Sequence, residues 1–253
     1  MALSSNSLIH FTNKLANLKG ILKDNFKLRY CREIIRSDTK RYDFLVPMVS
    51  FCDIPFSQIE KHIQSYGNYG IGLKKSWAEK NGLNPVLYTD INSNLSKNFF
   101  DHLLIKIKNG DDDKKISKLT LEEKYVFDIF RYIKNYQGKL ERSGKKIIEN
   151  YRFSDEREWR YVLNLESEAL MFANLKKVIH EDVSIFKQLV NDEIENERLN
   201  FEPEDINYII IKNESERNDI IRTLENIKGK YPMEQVKRLT SRIISTEQIK
   251  SDF

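Results

Sequence analysis

Apolar residues recur along the chain in two rhythms, and the change between them marks out the elements. SLIHFT (7–12) is a short apolar run with alternating character and predicts a first strand. In the following NKLANLKGILKDN (13–25), Leu15, Leu18, Ile21 and Leu22 return at spacings of three and four. That is the stripe of an amphipathic helix, with Thr12 or Asn13 as its cap. VPMVSFCDIP (46–55) is β-branched and bounded by prolines, which predicts a second strand. FSQIEKHIQSYG (56–67) reads as a helix, with Ser57 as cap, Glu60 three residues later and Gly67 as its stop. YGIGLKK (69–75) and NPVLYTD (84–90) are further strands around a short helix, SWAEKNG. Helical patterns occupy 91–108 and 120–136, separated by the charged, turn-prone KNGDDDKKISK. A helix over about 180–198, a strand INYIIIKN (206–213), a helix over 214–228 and a last strand near SRIISTEQI (241–249) complete the chain. The sum is one α+β domain over 1–253 with a mixed β-sheet core and a helical insertion at about 91–150.

FSDEREWRYVL (153–163) breaks the usual pattern. If it is a strand, Glu156, Glu158 and Arg160 share one face, and Arg157, Trp159 and Tyr161 share the other. An aromatic face packed on helices leaves the acidic face to a cleft or to solvent. Two carboxylates two residues apart are roughly 7 Å from one another at Cα. Their repulsion raises one pKa unless a cation intervenes, and Arg160 is placed to be that cation. The plain alternative is a solvated edge strand whose ion pairs contribute little. His10, between Ile9 and Phe11, is either a satisfied structural histidine or a functional one.

Composition narrows the classes. Hydrophobic residues are 40% and charged residues 32%, which suits a folded globular protein. A net charge of +4, from 42 basic and 38 acidic side chains, is too small to imply a nucleic-acid ligand by itself. One basic stretch, KLERSGKKIIENYR, gathers Lys139, Arg142, Lys145, Lys146 and Arg152 just after Tyr132 and Tyr136. It reads as a nucleic-acid strand contact, as a grip on phosphates, or as a solvated face. No apolar run is long enough to span a bilayer, and the N-terminus lacks a signal-peptide pattern. Cys31 and Cys52 have no partner spacing, so free thiols and a cytoplasmic location are expected, with Cys52 a buried structural thiol. Gly67, Gly70 and Gly72 precede or occupy a strand, so they are not a dinucleotide fingerprint but mark close backbone approach or a bend. Tyr66 and Tyr69 read as core, with the lining of a pocket as the alternative. His62 and His102 are isolated and expected at the surface, and no metal site is expected.

Two resemblances extend this reading. LIHFTNKLANLKGILKDNFKLRYCRE, VPMVSFCDIPFSQIEKHIQSYGNYGIGLKKSWAEKNGLNPVLYTD, FSDEREWRYV and STEQIKSDF occur in an order that resembles the AbiGi family. That family is linked to abortive phage resistance and labelled the antitoxin of a two-gene system. The resemblance implies bacterial phage defence with a protein partner encoded by a neighbouring gene. More distantly, the order of a strand with His, a helix NLKGIL, strands VSF and YGIGL, and then Glu-x-Glu-aromatic-Arg is similar to ADP-ribosyltransferase-like folds. This second resemblance implies an ADP-ribosyltransferase-like mixed sheet, NAD as cofactor, and a nucleic-acid or protein acceptor. It places His10 at the NAD ribose, Thr12 among the cofactor-binding residues, Ser50 and Phe51 at the nicotinamide, and Glu158 or Glu156 as the catalytic carboxylate. Arg160 is implied either at the diphosphate or as the group that keeps a glutamate ionised. A non-catalytic antitoxin and a nucleic-acid-binding module stand as the alternatives.

Overall fold

The structure is a computed structural model that describes residues 5–38, 40–103, 119–140, 147–164, 173–174, 183–227 and 232–252. The fold is mixed α/β, with a mixed sheet and several helices. Two compact units divide it: Met1–Lys27, Ser50–Asn84 and Arg198–Phe253 in the first, Leu28–Val49 and Pro85–Glu197 in the second. The division falls within one long strand, Arg41–Cys52. The 91–150 stretch lies wholly in the second unit and holds, beside its helices, the strands Ile133–Asn135 and Gln137–Leu140.

In the first unit Ile206–Ile211 runs parallel to Ile243–Ser245 and antiparallel to Tyr69–Lys74, which in turn runs antiparallel to Ser7–Thr12. Strand alternation then sorts the first strand. Ile9 and Phe11 join an isoleucine core of Ile54, Ile59, Ile63, Ile210 and Ile249. His10 points to the opposite face, against Phe26 and Phe51. The glycines have specific work. Gly67 has φ +125, and a Cβ there would lie 2.4 Å from the Thr12 carbonyl oxygen. Gly72 leaves room for the Tyr208 ring, 3.1 Å from where its Cβ would be.

In the second unit Arg29–Arg36 and Arg41–Cys52 form an antiparallel hairpin, in register from Arg29↔Met48 to Arg36↔Arg41. Tyr42, Phe44, Val46 and Met48 alternate into a core with Phe99, Phe100, Phe130, Ile133 and Val162. The helix Leu121–Tyr132 begins with a capping box between Thr120 and Glu123 and buries Phe127, Phe130 and Arg131.

Several sequence expectations need correction. Helix Leu15–Asp24 has Lys14 at its N-cap with no side-chain bond, so neither Thr12 nor Asn13 caps it; Thr12, two residues earlier, accepts from Asn17 Nδ2 at 2.9 Å. Ser57 caps nothing: a 3-10 turn, Phe56–Gln58, precedes helix Glu60–Tyr66. The last strand is only Ile243–Ser245, and TEQIKSD continues as a helix, with Thr246 Oγ1 donating to the Lys212 carbonyl and Ile249 joining the core. His62 is buried, packed on Phe11 and Tyr66, whereas His102 is exposed as expected. Strand Arg29–Arg36 and helix Met233–Thr240 were not anticipated.

Because Gly67 combines positive φ with backbone contact, Gly67→Ala is expected to lower the unfolding free energy by about 2 kcal/mol or more. Urea denaturation checks this; a loss below about 0.5 kcal/mol, the scale of an ordinary surface substitution, would mean that the turn relaxes freely.

Candidate functional site

The segment 153–163 is a strand only from Glu158 to Val162. Phe153–Glu156 is a 3-10 turn, and Arg157, at φ 44, is left-handed. Strand alternation therefore does not place Glu156; the turn delivers it. The faces are also reversed from the expected arrangement. Glu158 (6% exposed) and Arg160 (0%) point inward with Val162, while Trp159 and Tyr161 are half-buried. The solvated edge strand is ruled out by the same figures.

Inward charge is tolerable only if each group is paired and hydrogen-bonded. Here the signs alternate through five side chains. Arg160 Nη2 donates to Glu33 Oε2 at 2.8 Å, and Arg160 Nε donates to Glu158 Oε1 at 2.7 Å. Lys134 Nζ donates to Glu158 Oε2 at 2.7 Å and to Glu156 Oε2 at 2.9 Å. The Tyr151 hydroxyl donates to Glu156 Oε1 at 3.1 Å, and the Lys134 ammonium lies 5.1 Å from the centre of the Phe153 ring. Arg160 Nη1 donates to the Arg131 carbonyl at 2.7 Å, and Arg131, itself buried, donates to the Leu163 carbonyl at 2.8 Å and pairs with Asp128. The Glu158 amide donates to the Tyr88 hydroxyl at 2.9 Å.

The electrostatics follow from this geometry. Burial alone would raise the Glu158 carboxyl, but the charges of Arg160 and Lys134, with the hydrogen bonds both donate, outweigh it and hold the carboxyl well below the usual range. For Arg160, burial disfavours the charge, while Glu158 and Glu33 overcome it and raise the guanidinium further. Cys31, on the strand that carries Glu33, is pushed up to about 11, chiefly by burial. It is an unreactive thiol at neutral pH.

The other expected site residues form a separate group in the first unit. His10 Nδ1 lies 2.9 Å from the Ser50 carbonyl oxygen, so the neutral ring carries its proton on Nδ1. Burial lowers the His10 pKa and the Ser50 carbonyl partly offsets this. Phe51, 1% exposed, packs edge-on against His10, Phe26 and Trp77. Thr12 is committed to Asn17. The structure thus brings His10, Ser50 and Phe51 together in one unit and Glu156, Glu158 and Arg160 together in the other. Sequence reading missed Lys134, Glu33 and Arg131. The alternation in YIKNY was a usable signal for Lys134; Glu33 became visible only with the register of an unanticipated strand. Of the basic stretch, Lys139 and Arg152 are exposed on an antiparallel hairpin, and Arg142, Lys145 and Lys146 lie outside the described residues. Among the described residues no cluster suits a metal ion, and no helix is long and apolar enough to cross a membrane.

A family model described as "Putative abortive phage resistance protein AbiGi, antitoxin" matches residues 24–212. That range contains Glu33, Lys134, Glu156, Glu158 and Arg160; His10 and Thr12 precede it. A curated protein of Lactococcus lactis subsp. cremoris, described as "Abortive phage resistance protein AbiGi", is 30% identical over 234 residues, spanning 87% of this chain and 94% of its own length. No solved structure matches the chain.

Arg160→Met leaves Glu33 and Glu158 without their shared cation and is expected to cost about 3–5 kcal/mol in denaturant unfolding. The depressed Glu158 pKa also sets a pH dependence. Its stabilisation is present above the unfolded carboxyl value, about 4.3, and is lost as pH falls below it towards the folded value. Unfolding followed from pH 7 down to pH 3 should show this loss, and Glu158→Gln should flatten it; identical profiles would remove the assignment.

Proposed function

The chain belongs to the AbiGi family, and on that premise we propose that it serves in bacterial abortive phage resistance as a non-catalytic antitoxin that binds and restrains a toxin partner encoded by a neighbouring gene. The observation that carries this reading is the engagement of the acidic pair. A carboxylate that stabilises a positive sugar-like transition state must present uncompensated negative charge to it. Both oxygens of Glu158 accept from Arg160 or Lys134, and the two oxygens of Glu156 accept from Tyr151 and Lys134. Two cations beside Glu158 cancel most of the field it would offer. Such a cluster suits a scaffold whose rigid surface is read by a partner.

A second reading is an NAD-dependent ADP-ribosyltransferase-like enzyme with the corresponding mixed sheet. One feature favours it: Glu156 and Glu158 converge on a single ammonium, and Lys134, 15% exposed, is more open than either glutamate. A substrate hydroxyl that displaced Lys134 would meet Glu158 directly, and nicotinamide would leave as the glycosidic bond breaks. The acceptor would be a protein or a nucleic acid.

Co-expression with the neighbouring gene product separates the two. The antitoxin reading expects a stable co-purified complex, relief of toxicity, and no nicotinamide release from NAD by the purified chain. Absence of both complex and relief would end it. Nicotinamide release abolished by Glu158→Gln, in protein that still unfolds cooperatively, would establish the second reading instead.

A further inference from the structure

The charge excess of the chain is not spread evenly. Residues 228–242, KGKYPMEQVKRLTSR, hold Lys228, Lys230, Lys237, Arg238 and Arg242 against a single carboxylate, Glu234. That segment alone carries as much net positive charge as the whole chain, +4. Helix Met233–Thr240 buries Val236 and Leu239 and leaves Lys237 and Arg238 exposed, with Arg242 half-buried just beyond its end. Arg242 Nη1 donates to the Ile206 carbonyl, so this guanidinium is anchored by one nitrogen. Arg238 precedes it by about one helical turn. Burial and then the like charge of Arg238 lower the Arg242 pKa, against a smaller opposing effect of Tyr208.

Several cations elsewhere in the first unit are paired: Lys19 with Asp219, Lys75 with Asp53, and Arg217 with Glu214. Among the described residues Lys237, Arg238 and Arg242 have no ion pair, although Glu234 lies one turn before Arg238. Glu204, on the turn Pro203–Asp205 that packs against this helix, accepts instead from Gln235 Nε2 at 2.7 Å. The helix dipole accounts for cations in a last turn, as at Lys237 and Arg238. It does not account for Arg242, which lies past the helix and keeps a like charge beside it.

We propose that this patch binds the phosphate backbone of duplex nucleic acid without reading its sequence. A guanidinium matches phosphate in a two-point grip, and Arg242 brings its fork already oriented. Lys237 to Arg242 extend over about 8 Å along the axis, which suits repeated phosphates better than one small anion. Among the described residues of the helix, Met233 alone is a large exposed apolar side chain, so the apolar stripe that a membrane surface requires is missing. Nor does an exposed aromatic ring stand there to stack single-stranded bases. The segment is distinct from the basic stretch at 139–152, which belongs to the second unit.

Anisotropy of a labelled, mixed-sequence DNA duplex titrated with the full chain tests this without the toxin partner, so its outcome leaves the antitoxin reading untouched. Between about 50 and 200 mM salt the logarithm of affinity should fall against log salt with a slope of at least about −2.5, the value for three phosphate contacts. Lys237→Gln and Arg238→Gln should each reduce that slope by about 0.9 and weaken binding alike for every duplex sequence. Lys23→Gln and Lys80→Gln, which remove exposed cations elsewhere in the same unit, should leave it unchanged. All four positions are exposed, so thermal unfolding should be little altered. No duplex binding, a slope indifferent to Lys237→Gln and Arg238→Gln, or displacement of the duplex by inorganic phosphate at constant ionic strength overturns the proposal. So does binding to phosphatidylserine vesicles in preference to the duplex.

Discussion

A guanidinium with no solvent exposure organises the second unit. Arg160 cannot lose its charge and cannot reach water, so the chain must bring acceptors to it. Four arrive: Glu158 from its own strand, Glu33 from the hairpin, the Arg131 carbonyl from the end of a helix, and the second Glu158 oxygen. Each acceptor fixes an element in space. The acid it collects at Glu158 then requires a second cation, Lys134, and Lys134 in turn draws in Glu156 and Tyr151. Alternation of sign keeps the desolvation cost bearable at each step.

This requirement explains why the strand turns its charged face inward and its aromatic face outward. Hydrophobic patterning assigns Trp159 and Tyr161 to the core because it weighs each residue singly. The cluster is favourable only as a set, with members at positions 33, 131, 134, 151, 156, 158 and 160. The same cooperativity ties the helix Leu121–Tyr132 to the strand Glu158–Val162 through Arg131.

Much of the fold was legible from local pattern. SLIHFT, YGIGLK and INYIII are strands because β-branched and apolar residues alternate or cluster there, and LANLKGILKD is a helix because its leucines return every three or four residues. RYCREIIR was not legible, since charged residues interrupt it and its partner strand supplies the order. STEQIK looks strand-like by composition, yet Thr246 bonds the Lys212 carbonyl and starts a helix. For the candidate site, the pair Glu158 and Arg160 was readable from spacing alone. Lys134 and Glu33 depend on contacts distant in sequence, which spacing cannot encode.

Glu158 and Lys134 are energetically coupled parts of one buried structural network. A double-mutant cycle with Glu158→Gln and Lys134→Met, read by denaturant unfolding at pH 7, measures that coupling directly. The expected interaction is about 2–3 kcal/mol, the upper range for contacting groups. A value near zero, with both single variants close to wild-type stability, would contradict it.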